Sequence, residues 1–355
     1  MPLRCITNAG DSLLSFDLSP IDWKQLREDN AAQGHLLMTC CEAPVVLKTS
    51  RNGLQFFAHK HQGDCTTSLE SLQHLALKRL AVSVIRKCGW DVQTEVPGVT
   101  PDGEQWIADV LAIKGRSKVA VEIQWSPQTD EQTRSRQERY KRSGVRGLWL
   151  LHQPNFPVEL KVPAACVMED GDGGFTAMLP RDSSWGRRAR SRSEDWGQKL
   201  PVQDILRAAF EGRFWYGHIR PDTLVNLKVN GGFVKCWACS EWTNLVFSLE
   251  MWPADGSSEV ADLQLSDIPD DLVPVLIPNS LRAWKVGPIK RRYSKTDGGS
   301  YISNGCVNCD ALQGRFFNTE IMHRLKVITE YTVRVTDRLA ETIVEHHGAR
   351  WRVSG

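Results

Sequence analysis

Apolar and polar residues alternate through the middle of the chain in the pattern of a β-hairpin. From 118 to 125 apolar side chains recur at every second position, and a turn at 114–117 separates this stretch from another apolar run. This period of two is the signature of a strand. Successive side chains of a strand point to opposite faces, so Glu122 and Gln124 must share one face. The hairpin is expected to bring Asp109 beside them.

Helical periodicity flanks this hairpin on both sides. Apolar residues recur at helical spacing up to 87, with a cap expected at 66–68 and Gly89 as the stop. The remaining predicted elements are a strand over 91–96, a helix over 127–143 and a strand over 147–151. The expected order is helix, three strands, helix and strand, which predicts an α/β fold.

A polar stripe runs along the first predicted helix. Glu70, His74 and Lys78 stand at positions i, i+4 and i+8, which lie on one face. On its own, such a stripe is typical of a solvated face. The strands that follow carry aligned polar groups of their own, however, and this context favours a shared site.

The composition limits the function classes. With 355 residues and 41% apolar content, the chain can bury a real core and is expected to fold as two or more domains. The net charge of +2 means that any affinity for nucleic acid must come from local patches. No long apolar run and no signal-peptide pattern is visible, so we expect a cytoplasmic location without a membrane partner. In that reducing compartment, the ten cysteines favour metal ligation over disulfides.

The polar groups of the hairpin indicate a site for a hard divalent cation. Asp109, Glu122 and Gln124 would offer oxygen ligands on one sheet face, which metal-assisted phosphodiester hydrolysis needs. The alternative is a structural hairpin with exposed acidic groups. The helix over 127–143 is rich in arginine and could grip phosphates, although such a charge run is also typical of a solvated helix.

Two groups of cysteines have the residue types of zinc sites. Two C-x-x-C pairs predict one closed, structural four-thiolate site; a redox role is the competing interpretation. The four ligands of this site would be Cys236, Cys239, Cys306 and Cys309. A second, weaker candidate lies near the N-terminus, where adjacent cysteines are awkward co-ligands and buried cysteines with a surface histidine are the favoured alternative. Its ligands would be Cys40, Cys41, His59 and Cys65.

Several of these motifs, taken together and in order, resemble the competence protein CoiA family. The resemblance covers roughly 35–155 and is carried by Phe57-Ala58-His59, Glu70-Ser71-x-x-His74-x-x-x-Lys78, Asp109-Val110, Val121-Glu122-Ile123-Gln124-x-Ser126, and Arg139-Tyr140 before Trp149-Leu150-Leu151. It implies the restriction-endonuclease-like core of the PD-(D/E)xK nuclease superfamily, with the order αβββαβ. It also implies a bacterial cytoplasmic protein that acts on incoming or foreign DNA.

The resemblance assigns roles to individual residues. Asp109, Glu122 and Glu70 would hold Mg²⁺ or Mn²⁺, and His74 would contact a phosphate or water. Gln124 stands where the superfamily has lysine, so a charge that stabilises the transition state is missing; Lys78 and a lysine near the hairpin are the two candidates to restore it. The implied DNA-binding residues are Arg134, Arg136, Arg139 and Lys78.

Two functions are therefore expected from the sequence. The first is a magnesium-dependent deoxyribonuclease that processes incoming or foreign DNA, with a recombination or defence-system protein as a further partner. The alternative is a non-cleaving DNA-binding adaptor with a degenerate nuclease fold. The predicted division of the chain is a β-rich N-terminal segment, a nuclease-like domain, a basic linker and a zinc-ribbon-like α+β domain, over 1–65, 66–155, 156–200 and 201–355.

Overall fold

The computed structural model describes residues 2–61, 63–65, 70–154, 156–180, 196–254 and 260–354. The chain forms two compact units, of which the first comprises 1–216 and 350–355 and the second 217–349. Within the described residues, no helix combines the length and the apolar character needed to cross a membrane.

The first unit contains four helices and most of the strands of the described chain. Its elements, up to the boundary of the second unit, are β1 (Arg4–Thr7), β2 (Ser12–Leu14), α1 (Pro20–Gln33), β3 (Leu36–Leu37), β4 (Val45–Thr49), β5 (Gln55–His59), α2 (Leu72–Lys87), β6 (Asp91–Val99), β7 (Gln105–Lys114), β8 (Ser117–Gln124), α3 (Asp130–Arg142), β9 (Arg146–Leu151), β10 (Ala164–Glu169), β11 (Phe175–Pro180), β12 (Trp196–Pro201), α4 (Val202–Phe210) and β13 (Phe214–Gly217).

A seven-stranded mixed sheet forms the centre of this unit. Its strand order is β12-β11-β10-β9-β8-β7-β6, with β9 parallel to both β8 and β10 and the other neighbours antiparallel. Helix α2 packs on one face, where Leu77 and Ile85 share a buried core with Val121. On the other face, Tyr140 of α3 is buried with Trp149 of β9. The result is a mixed α/β layer with helices on both sides.

The predicted hairpin is present in the structure. Strands β7 and β8 pair antiparallel down to Lys114 and Ser117, and the two-residue turn between them contains Gly115 at a φ of 59°. Glycine adopts this left-handed conformation without steric cost. From α2 to β9 the elements follow in the order helix, three strands, helix, strand.

Both flanking helices begin later than their apolar patterns suggest. The predicted cap at 66–68 lies outside the described residues, and the observed N-cap of α2 is Ser71, whose hydroxyl accepts a hydrogen bond from the His74 amide at 3.1 Å. Helix α3 begins after Thr129, which forms a capping box with Gln132, instead of at Pro127. In both cases a local side-chain cap decides the boundary.

The predicted linker over 156–200 differs from the structure at both ends. Strands β10, β11 and β12 extend the central sheet, and only 181–195, with most of the basic residues of this stretch, lies outside the described part. Helix α4 buries Ile205 and Leu206 in the same core as α2, so 202–216 belongs to the first unit and not to a C-terminal domain that begins at 201. The divisions at 65 and 155 stay predictions.

The second unit is built on a long antiparallel hairpin. Its elements are β14 (Leu224–Lys235), β15 (Trp242–Pro253), β16 (Ala261–Gln264), α5 (Val273–Leu276), β17 (Ile289–Ser294), β18 (Gly299–Gly305), β19 (Leu312–Gln313), α6 (Phe316–Ile321), β20 (Lys326–Arg334) and α7 (Asp337–His347); β21 (Arg350–Val353) follows in the first unit. A four-stranded sheet has the order β16-β15-β14-β20, and a three-stranded sheet has the order β17-β18-β19.

Candidate functional site

A buried lysine lies at the centre of a group of carboxylates in the first unit. The Lys78 side chain is 0% exposed, and its Nζ lies 2.6 Å from Glu70 Oε1, 2.8 Å from Glu95 Oε1 and 3.5 Å from Asp109 Oδ1. A buried ammonium group is tolerated only when it is paired and hydrogen-bonded, as it is here. These four residues and His74 are called the carboxylate cluster below.

His74 lies at the edge of the carboxylate cluster. Its Nε2 is 3.2 Å from Glu70 Oε1 and 3.4 Å from Asp109 Oδ1. One ligand atom each from Glu70, His74 and Asp109 lies within 4.8 Å of the others, a spacing that suits a shared metal ion. The polar stripe predicted on the first helix therefore meets the first acidic residue of the hairpin, although Glu70 precedes the N-cap of α2.

An irregularity between two strands brings Glu95 into the cluster. The pairing of β6 with β7 keeps one register from Thr94 and Val110 to Val96 and Ala108, but it is interrupted at Glu95, which stands opposite Asp109. Its φ is 47°, in the left-handed region that non-glycine residues rarely adopt. Such backbone conformations cost on the order of 1–3 kcal/mol and concentrate at functional sites.

The N-terminal strand holds this irregular backbone in place. Arg4 Nη1 donates to the carbonyl oxygens of Thr94 at 3.4 Å and Glu95 at 3.3 Å, and the Leu3 amide donates to Glu95 Oε1 at 3.4 Å. The N-terminal segment thus supports the conformation that turns the Glu95 side chain toward Lys78. These contacts join residues that are about 90 positions apart in the sequence.

The charges of the cluster shift each other's pKa values. Burial alone would raise the pKa of Asp109, but the positive charges of Lys78 and His74 hold it well below its ordinary range. Glu70 has a lowered pKa for the same reason. Burial would lower the pKa of His74, but the nearby carboxylates of Asp109 and Glu70 outweigh this effect and raise it to about 9. Glu70 and Asp109 therefore stay ionised beside an imidazolium and an ammonium group.

Glu122 lies apart from the carboxylate cluster. Its carboxylate is 1% exposed, forms an ion pair with Arg136 and accepts a hydrogen bond from the Tyr140 hydroxyl, both of which belong to α3. Burial, followed by the negative charge of Asp109, raises the pKa of Glu122 to about 7 against the opposing effect of Arg136.

The expectation that Asp109 and Glu122 share one sheet face is therefore wrong. Asp109 contacts residues of α2, on one face, and Glu122 contacts residues of α3, on the other. The register of β7 and β8 stops at Val110 and Val121, and beyond it Asp109 Oδ2 accepts a hydrogen bond from the Ile123 amide at 2.9 Å. Because the regular ladder ends just before these residues, simple alternation does not fix their directions.

Gln124 and two of the predicted DNA-binding residues line a cleft beside α3. The Gln124 amide donates to the Ser126 carbonyl at 2.9 Å, and Arg139 Nη1 donates to the Gln105 carbonyl at 3.1 Å. The cleft has a volume of about 540 Å³ and also contains Arg136. It thus combines three glutamine amides and two guanidinium groups with the carboxylate of Glu131 in a surface depression.

The other two predicted DNA-binding residues are less available. Arg134 Nε lies 3.2 Å from Glu159 Oε1, so its charge is already paired. Lys78 is fully buried, and the prediction that it contacts DNA is wrong. Three carboxylates near its Nζ hold the ammonium group inside the protein.

The four cysteines of the second unit converge. Cys236 Sγ lies 3.7 Å from Cys309 Sγ, Cys239 Sγ lies 3.6 Å from Cys306 Sγ, and all four sulfurs are within 4.8 Å of one another. No disulfide joins any of the ten cysteines, all of which lie in the described part of the chain. This cluster is consistent with a C-terminal zinc module.

The two C-x-x-C turns have matching backbone geometry. The amide of Ser240 donates to the Cys236 carbonyl at 2.9 Å, and the amide of Asp310 donates to the Cys306 carbonyl at 3.0 Å. Ser240 and Asp310 both have positive φ, at 65° and 57°. Amides two residues after the first cysteine of each pair donate to its sulfur at 3.4 Å, which orients the thiols. The end of the long insertion lies beside its start, where the Val307 amide donates to Thr243 Oγ1 at 3.1 Å and the Val246 amide donates to Asn304 Oδ1 at 2.9 Å.

The N-terminal candidate residues also meet. Ligand atoms of Cys40, Cys41, His59 and Cys65 lie within 4.8 Å of one another. The structure thus brings together both cysteine groups that the sequence suggested.

The fold and the carboxylate cluster define a mixed α/β domain of the nuclease-like class. Residues 70–161 match the family model described as competence protein CoiA, nuclease-like domain. The chain therefore carries a CoiA nuclease-like domain, as the resemblance in its motifs predicted. A search of curated proteins gave no match to the chain.

Two features of the site were missed by reasoning from the sequence. In a regular strand Glu95 would point with Asp91 and Gln93, both of which are exposed, and only the irregularity turns it inward. The pairing of Glu122 with Arg136 and Tyr140 depends on how α3 packs on the sheet. For Glu95 the sequence offered one signal of a functional role, which is an acidic residue within an otherwise uncharged run, Thr94-Glu95-Val96-Pro97.

His74 should stabilise the metal-free protein at low pH and lose this effect as the pH rises. Its pKa in the folded protein is about 9, above the ordinary 6.5, so the contribution is complete below pH 6.5 and is lost toward pH 9. The stability difference between the native chain and His74→Gln should shrink by roughly 1–3 kcal/mol between about pH 6 and about pH 9.5. Urea unfolding with EDTA present measures it, with His61→Gln as control. A constant difference would contradict a charged His74.

Proposed function

We propose that the protein is a metal-dependent deoxyribonuclease of the CoiA-like type, which hydrolyses phosphodiester bonds of incoming or foreign DNA. The observation that carries this proposal is the meeting of Glu70, His74 and Asp109 inside the segment that matches the nuclease-like family. The order of elements from α2 to β9 agrees with a PD-(D/E)xK core, which we propose as the fold of this domain.

The donor set of the cluster fits a divalent cation. Glu70 Oε2 and Glu95 Oε2 are buried and have no hydrogen-bond partner among the described residues. Buried acceptors without partners are costly, and a hard cation would satisfy them. Carboxylate oxygens suit Mn²⁺ as well as Mg²⁺. We propose that Glu70 and Asp109 hold the ion, with Glu95 as an additional carboxylate.

The chain's own groups would divide the remaining work. When bound, the cation would supply Lewis-acid activation of a water molecule and of a phosphate oxygen. Lys78 keeps the carboxylates together before the ion arrives. His74, as an imidazolium, can donate a hydrogen bond to a phosphate oxygen or pass its proton to a leaving group. Arg136 and Arg139 lie on the cleft side, where they would hold the DNA backbone.

Glu122 would act from the face of the sheet that α3 covers. Its pKa near 7 means that it can exchange a proton under physiological conditions, whereas Asp109 stays ionised. Two neighbouring carboxyl groups whose pKa values are pushed apart are typical of acid–base sites. In this proposal Asp109 binds the ion on the α2 side of the sheet, and Glu122 holds Arg136 in place on the α3 side, where the arginine would meet DNA.

The test is a cleavage assay with the full chain. Labelled single- and double-stranded DNA are incubated with Mg²⁺, with Mn²⁺ or with EDTA, and DNA binding is measured in parallel. We expect cleavage with either metal and none with EDTA. Binding without turnover under all three conditions would refute the nuclease.

The second candidate function is a non-cleaving DNA-binding adaptor in transformation or recombination. One observation favours it: the charges that could do chemistry are already satisfied within the protein. Lys78 contacts three carboxylates. Arg136 and Tyr140 bind the Glu122 carboxylate, and the Gln124 amide donates a hydrogen bond to the Ser126 carbonyl. The adaptor predicts metal-independent binding in the assay above, with a recombination or defence-system protein as the further partner.

The four-thiolate cluster would hold a structural zinc ion. Four cysteines leave no open coordination position, so the ion would stabilise the fold of the second unit and not take part in chemistry. We propose a zinc-ribbon-like role for the two matching C-x-x-C turns, and a cytoplasmic, reducing environment suits their free thiols.

A further inference from the structure

We propose that the N-terminal segment binds a second zinc ion through Cys40, Cys41, His59 and Cys65. This site is distinct from both the carboxylate cluster and the four-thiolate cluster, and the proposal does not depend on nuclease activity. The argument rests on the distances between the ligand atoms, on the backbone that presents them and on their chemistry.

The distances between the four side chains fit a tetrahedral ion. Cys40 Sγ lies 3.6 Å from Cys41 Sγ, 3.6 Å from Cys65 Sγ and 3.6 Å from His59 Nε2, and Cys41 Sγ lies 3.2 Å from His59 Nε2. Zinc–sulfur bonds of about 2.3 Å at tetrahedral angles put two sulfurs about 3.8 Å apart. The four-thiolate cluster shows sulfur separations of the same size, 3.6 and 3.7 Å.

A tight turn allows two adjacent cysteines to bind the same ion. The Glu42 amide donates to the Met38 carbonyl at 2.9 Å, and Glu42 has a φ of 55°. Cys40 and Cys41 thus lie inside a closed turn between β3 and β4, where successive side chains need not point to opposite sides as they do in a strand. The expectation that neighbouring cysteines are awkward co-ligands does not hold for this backbone.

The histidine comes from a well-packed strand and the third cysteine from a distant part of the segment. His59 ends β5 and pairs with Val45 of β4, whose hairpin is anchored by the buried Phe57. Cys65 lies beyond this hairpin. The ligands therefore come from a turn, from the end of a strand that pairs with the strand after this turn, and from the segment that follows.

The chemistry of the donors selects zinc among the common divalent ions. Three thiolates and one neutral imidazole are soft to intermediate ligands, which Mg²⁺ and Ca²⁺ do not favour. Cys40 and Cys41 are exposed, so without an ion three close thiols would be open to oxidation. With four protein ligands the site is closed and structural.

An ion at this place would also fix the chain just before α2. Cys65 stands five positions before Glu70, the residue at the edge of the carboxylate cluster. A metal ligand at Cys65 would fix the chain close in sequence to Glu70 and so lower the entropy cost of positioning Glu70. The site is thus a structural brace close in sequence to the candidate active site.

Elemental analysis of the purified full chain tests the proposal. We expect two zinc ions per chain. The double variant Cys40→Ser/Cys65→Ser should retain one, and so should Cys236→Ser/Cys239→Ser. The matched control Cys88→Ser, which removes a thiol outside both clusters, should retain two. One zinc ion in the native chain, or two in the Cys40→Ser/Cys65→Ser variant, would overturn the proposal.

A spectroscopic measurement on the unaltered chain covers the case of a variant that does not fold. The zinc is replaced by Co²⁺, and the visible absorption is compared with that of the Cys236→Ser/Cys239→Ser variant. A second tetrahedral component, with three sulfur ligands and one nitrogen, should be present in both proteins. A native spectrum that contains the four-sulfur component alone would contradict the N-terminal site, whatever the nuclease assay gives.

Discussion

Replacing Asp109 with asparagine should reduce metal-dependent DNA cleavage by at least roughly 100-fold, because the ion loses a charged ligand. Asparagine has nearly the same shape, and its amide oxygen can still accept the hydrogen bond from the Ile123 amide that Asp109 accepts at 2.9 Å. The fold should therefore persist while the negative charge is lost. Single-turnover cleavage rates with Mg²⁺ and Mn²⁺, measured beside DNA affinity, give the result.

The control for this experiment is another aspartate on the neighbouring strand. Asp91 is exposed at the start of β6 and lies outside the carboxylate cluster, so Asp91→Asn should cleave at the native rate. DNA affinity should be close to native in both variants. If Asp109→Asn cleaves as fast as the native protein, the carboxylate cluster is not where the ion acts.

Replacing Lys78 with methionine should destabilise the metal-free protein by about 3–5 kcal/mol. The change keeps the apolar stem but removes the ammonium group, which leaves Glu70, Glu95 and Asp109 facing one another without a cation. Added Mn²⁺ should restore much of the loss, since the ion would supply positive charge in the same place. Urea unfolding with EDTA and with Mn²⁺ measures both effects.

The matched control for Lys78 lies at the end of the same helix. Lys87 is exposed at the last position of α2, and Lys87→Met should change stability little. A loss in Lys78→Met that Mn²⁺ does not reduce would show that the cluster prefers the ammonium group to a divalent ion, which favours the adaptor function.

The parts of the domain that the sequence predicted are those that depend on local patterns. The period of two between 118 and 125, with the turn before it, predicted the β7–β8 hairpin, and helical spacing predicted α2 with its stop at Gly89. The stripe of Glu70, His74 and Lys78 depended only on helix geometry, and its members do meet.

The parts that could not be predicted depend on contacts between distant segments. The inward turn of Glu95 needs an irregular strand pair that Arg4 supports from the N-terminus, about 90 residues away. The burial of Glu122 needs α3 to place Arg136 and Tyr140 over β8. Period-two reasoning assumes a regular ladder, and it failed for Asp109 and Glu122 because the ladder ends one residue before them.

Strands β10 and β11 were not predicted, for a different reason. Both are short apolar runs separated by a turn rich in aspartate and glycine, at 170–174, which is an ordinary hairpin signal. Because the residues that follow are basic, the whole stretch was predicted to be a linker. A change in composition marks a boundary less reliably than strand periodicity does.

The fully buried Lys78 means that this domain carries its own counterion. Acidic sites that lack such a group repel themselves whenever their ion is withdrawn, and the surrounding fold loosens. In the proposed nuclease, withdrawal of the divalent cation from the carboxylate cluster should therefore leave this domain folded but inactive. Supply of the cation would then act as an on–off control for the domain, independent of its folding.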